Sequence, residues 1–300
     1  MSPRPPIKEV LSSGALLVGD GAMGTELQKA GLEPGGCGDE WNLSHPEKVL
    51  TIQRAYVEAG SQLLLTNTFG SNRFVLARYE LEARAAEICR AAVQIARQAI
   101  GQEGWVLGDV GPCGGFLEPL GDIRQEALEE SLREQIGALL DGGVDGIILE
   151  TMTALEEVEV GIRVAREMGA ACVIASMAYD LVRGVYQAQD YKTMMGIATE
   201  QAARAAAAAG ADVVGANCGA SLEPRDFKYI AGRFRSACDL PIMLQPNAGQ
   251  PHLDGTAVVY PCSPEEMAKA LSELTEFAQM VGGCCGTTPA HIRAFRERLN

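Results

Sequence analysis

Eight short apolar runs recur along the chain, at 15–19 (ALLVG), 62–66 (QLLLT), 106–110 (VLGDV), 146–150 (GIILE), 172–177 (CVIASM), 212–217 (DVVGAN), 241–245 (PIMLQ) and 279–283 (QMVGG). Most are unbroken rather than alternating. That pattern suits strands covered on both faces, as in a parallel sheet. The stretches between them carry helix signals. Ser44 to Glu47, Thr153 to Glu156 and Ser263 to Glu266 read as capping boxes, with a hydroxyl three residues before a carboxylate. Thr288-Pro289 places proline at a first helical position. The run RAAAAA at 204–209 favours helix and stops at Gly210. Segments 31–38, 111–121 and 245–261 read as loops following strands. Eight β/α alternations in about 290 residues predict an α/β fold, a (β/α)8 TIM barrel forming a single domain over 1–300; a doubly wound open sheet is the alternative.

Composition narrows the function. Hydrophobic residues make up 47% of the 300, enough for a large core. With 25 Lys and Arg against 39 Asp and Glu the net charge is −14, which disfavours nucleic acid and anionic membrane surfaces as partners. No apolar run approaches the roughly 18 residues that span a bilayer, and the opening MSPRPPIKEV lacks the core of a signal peptide. Nine cysteines in such a chain point to reduced thiols and a cytoplasmic location. With three histidines, a metal site would rely on sulfur.

The segment 19–24 (GDGAMG) matches the dinucleotide glycine fingerprint, but the acidic residue expected to end the second strand is absent and Asn67 stands there. A tight turn is the simpler reading, and it leaves Asp20 at the C-terminal end of strand 1, where barrel enzymes place function. Cys284 and Cys285 follow the eighth run and Cys218 the sixth, so all three reach the same rim. Three thiolates can occupy three corners of a tetrahedral Zn2+ site and leave the fourth open, the catalytic pattern. Buried cysteines acting as small hydrophobes, or a vicinal disulfide, are the competing readings. Cys113 follows the third run and competes for a ligand position; Cys37 and Cys262 lie in loops, and Cys89, Cys172 and Cys238 read as core. Glu150 closes an apolar strand, a costly place for a carboxylate without a partner. It either bonds a nearby loop or helix start, or joins Asp20 in clasping an ammonium group. Asn67, Asp109 and Asn247 also end runs, which predicts a polar pocket at the rim. His45, His252 and His291 read as loop or cap residues.

The segments GDGAMGTELQ, LLLTNTFGSN, GDVGPCG, GIILETM, GANCG, QPNAGQP and GGCCGTTPAHI resemble the homocysteine S-methyltransferase family, from about residue 12 to the C-terminus. The wording is closest to the homocysteine-binding barrel of its cobalamin-dependent branch. The resemblance implies a barrel with Zn2+ held by Cys218, Cys284 and Cys285. It implies the homocysteine amino group against Asp20 and Glu150, and its carboxylate against backbone N–H groups of the turn from Gly21 to Thr25. Asn67 and Asn247 are expected among the substrate-binding residues. The implied reaction is methyl transfer to the homocysteine thiolate, giving methionine. Two departures stand out: Cys113 replaces a small hydroxyl residue, and 186–195 (YQAQDYKTMM) differs from the family's loop.

The corrinoid-ligand signature D-x-H-x-x-G is absent. Methylcobalamin supplied in trans by a separate corrinoid protein is therefore the expected donor. S-methylmethionine, S-adenosylmethionine and a betaine are the alternatives. The betaine ranks last, because only Trp41 and Phe69 are aromatic near the expected rim loops. Methylation of another small thiol is the runner-up reaction. A non-enzymatic zinc or redox-sensing protein, and an NAD-dependent oxidoreductase, are the readings from other classes.

Overall fold

The computed structural model describes residues 4–183, 189–255 and 257–300; part of the divergent stretch 186–195 lies outside these. Every apolar run contains a strand: β1 (Leu17–Val18), β2 (Leu63–Leu65), β3 (Trp105–Val110), β4 (Gly146–Met152), β5 (Val173–Met177), β6 (Val213–Cys218), β7 (Ile242–Pro246) and β8 (Met280–Val281). All pairings between them are parallel, and β1 lies beside β8 in an otherwise sequential order. The remaining seam is bridged where the Gln62 N–H donates to the Val18 carbonyl at 2.8 Å. This sequential ring is a (β/α)8 barrel and excludes the doubly wound alternative, whose strand order reverses partway.

Eight helices cover the barrel: α1 (Pro46–Ala59), α2 (Ala85–Ile100), α3 (Gln125–Gly142), α4 (Leu155–Glu167), α5 (Thr199–Ala209), α6 (Phe227–Ala237), α7 (Pro264–Leu274) and α8 (Pro289–Leu299). The expected boundaries hold at α5, which ends on Gly210 at φ 100, and at α7, where Ser263 and Glu266 cap reciprocally. The Pro289 start of α8 also holds. Two capping boxes do not form. Ser44 ends a short helix, Trp41–Ser44, and its hydroxyl donates to Glu40 at 2.6 Å, so α1 begins at Pro46 without a side-chain cap. Thr153 lies one residue too early, because Ala154 is the N-cap of α4. The stretch 245–261 is not all loop: Gln245 and Pro246 complete β7, and His252–Asp254 pairs with Ala257–Val259. A second hairpin, Asp180–Arg183 with Gln189–Lys192, lies between β5 and α5.

Burial on both faces explains the unbroken runs. Alternate residues Leu64, Val106, Ile147, Val173, Val214 and Leu244 pack outward among the helices. Leu63, Leu65, Leu107, Ile148, Ile174, Val213 and Met243 fill the barrel, whose lower end is plugged by Ile7 and Leu11. Stepping two residues on from this inner row gives Asn67, Asp109, Glu150, Ser176 and Gln245. The interior thus changes from apolar to polar within about one strand step, toward the C-terminal rim.

Candidate functional site

Two loops bring the three thiols together. Cys218 ends β6 at φ 58, a left-handed conformation uncommon for a residue with a Cβ, and Gly219 follows at φ 88. After β8 the chain passes against β1 so closely that a Cβ on Gly282 would lie 2.8 Å from the Asp20 carbonyl oxygen. The turn that follows is pinned at each residue. Gly283 N–H donates to Asp20 O at 2.9 Å, Cys284 N–H to Pro246 O at 2.9 Å, and Ala248 N–H to Cys285 O at 3.0 Å. The fully buried Thr287 donates its hydroxyl to Cys284 O at 2.6 Å and accepts from Ala22 N–H at 3.0 Å. Adjacent cysteines therefore face the same side.

The three sulfurs lie within 4.8 Å of one another, and Cys284 Sγ is 3.9 Å from Cys285 Sγ. A tetrahedral ion with Zn–S bonds of about 2.3 Å requires sulfurs about 3.8 Å apart, so these residues fit a Zn2+ ion in size and chemistry. At 3.9 Å Cys284 and Cys285 are not a disulfide; all nine cysteines are free. Among the described residues no other Cys, His, Asp or Glu joins the three. Cys113 is elsewhere, its N–H on the Glu157 carboxylate at 2.6 Å and its thiol on the Gly115 carbonyl. His291 is a cap residue, bonded to Thr288 and to the Cys262 carbonyl.

The cluster's electrostatics favour a cation. Donation from Cys284, then Cys285, pulls the Cys218 thiol well down, aided by the Asn247 amide and a backbone N–H. Hydrogen bonding to Cys218 holds Cys284 well up and pushes Cys285 up to about 11. Two buried amides face the sulfurs: Asn217 Nδ2 lies 3.8 Å from Cys284 Sγ, and Asn247 Nδ2 lies 3.7 Å from Cys218 Sγ. Asn217 is oriented by Thr151, which is bonded to both ends of its amide, and by the Ser176 hydroxyl at 2.7 Å.

The thiols open onto a cavity of about 390 Å³ that also takes in Asp20, Gly21, Thr25, Asn67, Asp109 and Glu150. Asp20 Oδ2 accepts from Leu65 N–H at 2.9 Å, which also ties β1 to β2, while Oδ1 is buried with no partner. Burial pushes this carboxyl up to about 7. Glu150 is pushed up to about 8 by burial, then by Asp20 and Cys218. Asn67 lines the wall but anchors the loop above it, donating to the Gly38 carbonyl at 2.9 Å. Asn247 lies behind Cys218 rather than in the wall.

Asn217, Thr151, Thr287 and Asp39 contribute to the site without having been singled out from sequence. Asn217 had a detectable signal, being a polar residue at the end of an apolar run next to Cys218. Thr287 had none, because its partners lie on the far side of the chain.

The sequence profile of the homocysteine S-methyltransferase family matches residues 17–299. Methionine synthase of Mycobacterium tuberculosis is 34% identical over 301 residues, covering 95% of this chain and 24% of that protein. Methionine synthase of Mycobacterium leprae is 32% identical over 296 residues, covering 93% and 24%. The chain therefore spans about a quarter of the length of these relatives. Among solved structures, the metallated form of the homocysteine methyltransferase MmuM from Escherichia coli superposes with a TM-score of 0.78 at 23% identity, covering 98% of this chain and all of that one. Its oxidised form gives 0.76 at the same identity, a likeness of fold. By profile, relatives and fold, the chain belongs to the homocysteine S-methyltransferase family.

Proposed function

We propose that residues 1–300 act as one barrel domain that methylates homocysteine on sulfur, giving methionine. The observation that carries this reading is the meeting, in one cavity, of three convergent thiols and the unpartnered Asp20 Oδ1. Cys218, Cys284 and Cys285 hold Zn2+ in this reading, and the ion's contribution is to lower the pKa of a coordinated thiol so that it is a thiolate at neutral pH. The chain's own residues do the rest. Asn217 and Asn247 direct amide N–H groups at the sulfurs of Cys284 and Cys218, orienting the cluster and moderating its charge. Asp20 Oδ1 and Glu150 accept from the substrate ammonium. The turn from Gly21 to Thr25 takes the substrate carboxylate, with the unpartnered Thr25 hydroxyl beside it.

A methylated corrinoid on a separate protein is the donor we favour. Phe69, Phe116, Leu120, Met194, Leu253 and Val258 stand exposed on segments that follow β2, β3, β5 and β7. An apolar rim around the cavity mouth suits a large partner. The methionine synthase relatives, four times longer, leave room for further domains. A sulfonium donor, S-methylmethionine or S-adenosylmethionine, is the second reading. It is favoured by a wall carrying Asp20, Asp39, Asp109 and Glu150 but no Lys, Arg or His among the described residues. A cytoplasmic location is consistent with the free thiols, and no described helix is long and apolar enough to cross a membrane.

The test is a donor screen with zinc-loaded protein and homocysteine, reading methionine formed. Methionine is expected with methylcobalamin, and at lower concentration with a methylated corrinoid protein. Turnover with a sulfonium alone would move the assignment to the second reading. Turnover of another small thiol, with none of homocysteine, would change the acceptor. No product with any donor or thiol would leave a zinc-binding or redox-sensing protein.

A further inference from the structure

Asp109 differs from Asp20 and Asp39, whose carboxyls accept hydrogen bonds, in how it is held. It lies on β3 in register with Ile148 of β4, an inward-facing pair, so its side chain enters the barrel. Its backbone is fixed from three sides. Its N–H donates to Thr66 Oγ1 at 2.9 Å, and its carbonyl accepts from Thr68 Oγ1 at 2.7 Å and Gln135 Nε2 at 3.4 Å. Among the described residues none donates a hydrogen bond to the carboxyl, although the residue is only 4% exposed and Oδ1 is wholly buried. Asp20, by contrast, has the Leu65 N–H to stabilise a charge.

The neighbouring titratable side chains are carboxyls. Burial, and after it Glu150 of β4, Asp39 of the loop before α1 and Asp20 after β1, raise the pKa of Asp109 well above the ordinary carboxylate range. No Lys, Arg or His lines the cavity among the described residues. An isolated buried carboxylate is strongly disfavoured, whereas a protonated one is neutral and becomes a donor. An amino-acid substrate brings an ammonium, for which Asp20 Oδ1 and Glu150 are acceptors, and a carboxylate, for which the wall has no basic side chain.

We propose that Asp109 is an uncharged carboxylic acid in the working site and donates a hydrogen bond to the carboxylate of the bound amino-acid thiol. It supplements the backbone N–H groups of the 21–25 turn and confers selectivity for thiols that carry a carboxylate. No bond is made or broken by it and its proton stays on Asp109. This assignment rests on the homocysteine reading above for its ligand, but not for the protonation state.

Two measurements test it. In zinc-loaded protein without substrate, infrared difference spectra of Asp109→Asn against wild type are expected to lose intensity in the carbonyl stretch of a protonated carboxyl. An equal loss of carboxylate bands instead would show that Asp109 is ionised and overturn the proposal, whatever the substrate. In binding titrations, Asp109→Asn keeps an N–H donor and should hold homocysteine within about threefold of wild type, while Asp109→Leu should lose about tenfold or more. That loss should vanish for 3-aminopropane-1-thiol, which lacks the carboxylate. An equal loss for both thiols would assign Asp109 a purely structural role. A tenfold loss in Asp109→Asn would mean that its charge is what binds. Failure of wild type to bind homocysteine would refute the substrate reading and leave the infrared result standing.

Discussion

The two oxygens of Asp20 have different surroundings, and the difference has consequences for pH. Oδ2 is bonded to Leu65 N–H and Oδ1 faces the cavity unpartnered, with the carboxyl pushed from 3.8 up to about 7. A carboxyl whose folded pKa is raised takes up a proton on folding, so burying it costs nothing below pH 3.8 and progressively more up to about pH 7. Ligand-free Asp20→Asn should accordingly lose less Tm than wild type as pH rises through that window. Parallel curves would mean that the charge is already compensated. The same variant should bind homocysteine at least tenfold more weakly with zinc retained, since a charged hydrogen bond is worth roughly 1.5–3 kcal/mol. At the sulfurs, Cys284→Ser should remove most of the zinc measured by metal analysis, whereas Cys89→Ser, fully buried in the core, should not. Full zinc content in Cys284→Ser would refute the ligand set.

Among the elements, the turn after β8 has little room for change. A Cβ on Gly283 would sit 2.4 Å from Thr287 Oγ1, and Thr287 joins this turn to the loop after β1. Gly283→Ala should displace Thr287, separate the cysteines and lower zinc affinity, while the far-UV circular dichroism stays that of an intact barrel. Ser263→Ala is the matching control at the start of α7. It removes one half of a formed capping box and should cost about 1 kcal/mol in denaturant unfolding with no change in zinc. If the two variants lost zinc equally, the turn would not be the specific support described here. The failed boxes at Ser44 and Thr153 belong to this scale too. Both have suitable spacing, but the helix start moved by one residue, and a cap depends on that position.

For the whole molecule, Phe69, Phe116, Leu120, Met194, Leu253 and Val258 stand exposed on segments that follow strands, the C-terminal rim of a barrel, and a net charge of −14 keeps other acidic surfaces away. If that rim docks a corrinoid protein, Leu120→Ser and Leu253→Ser, at residues 73% exposed, should slow methyl transfer from the protein-bound corrinoid and leave the rate with free methylcobalamin unchanged. Equal rates with the protein donor before and after substitution would remove the rim from the docking surface.

The barrel and the neighbourhood of its site were legible in the sequence because both follow from local periodicity. Unbroken apolar runs are the mark of strands buried on two faces, and a polar residue at the C-terminal end of an inward row must meet the rim. Glu150 and Cys284 continue inward rows, and Asp20 and Cys218 could be placed at the same rim because each ends or follows an apolar run. Which atoms those residues would meet could not be read this way. The Ala22 N–H finds Thr287 across 265 residues, Asn217 turns its amide toward Cys284 across 67, and Asp109 is left without a donor because its polar neighbours bond its backbone instead. Hydrogen-bond partners, orphaned oxygens and raised pKa values are properties of close packing between distant segments. Only closure of the barrel set them, since burial removes water and each polar atom must then use the neighbours the fold supplies.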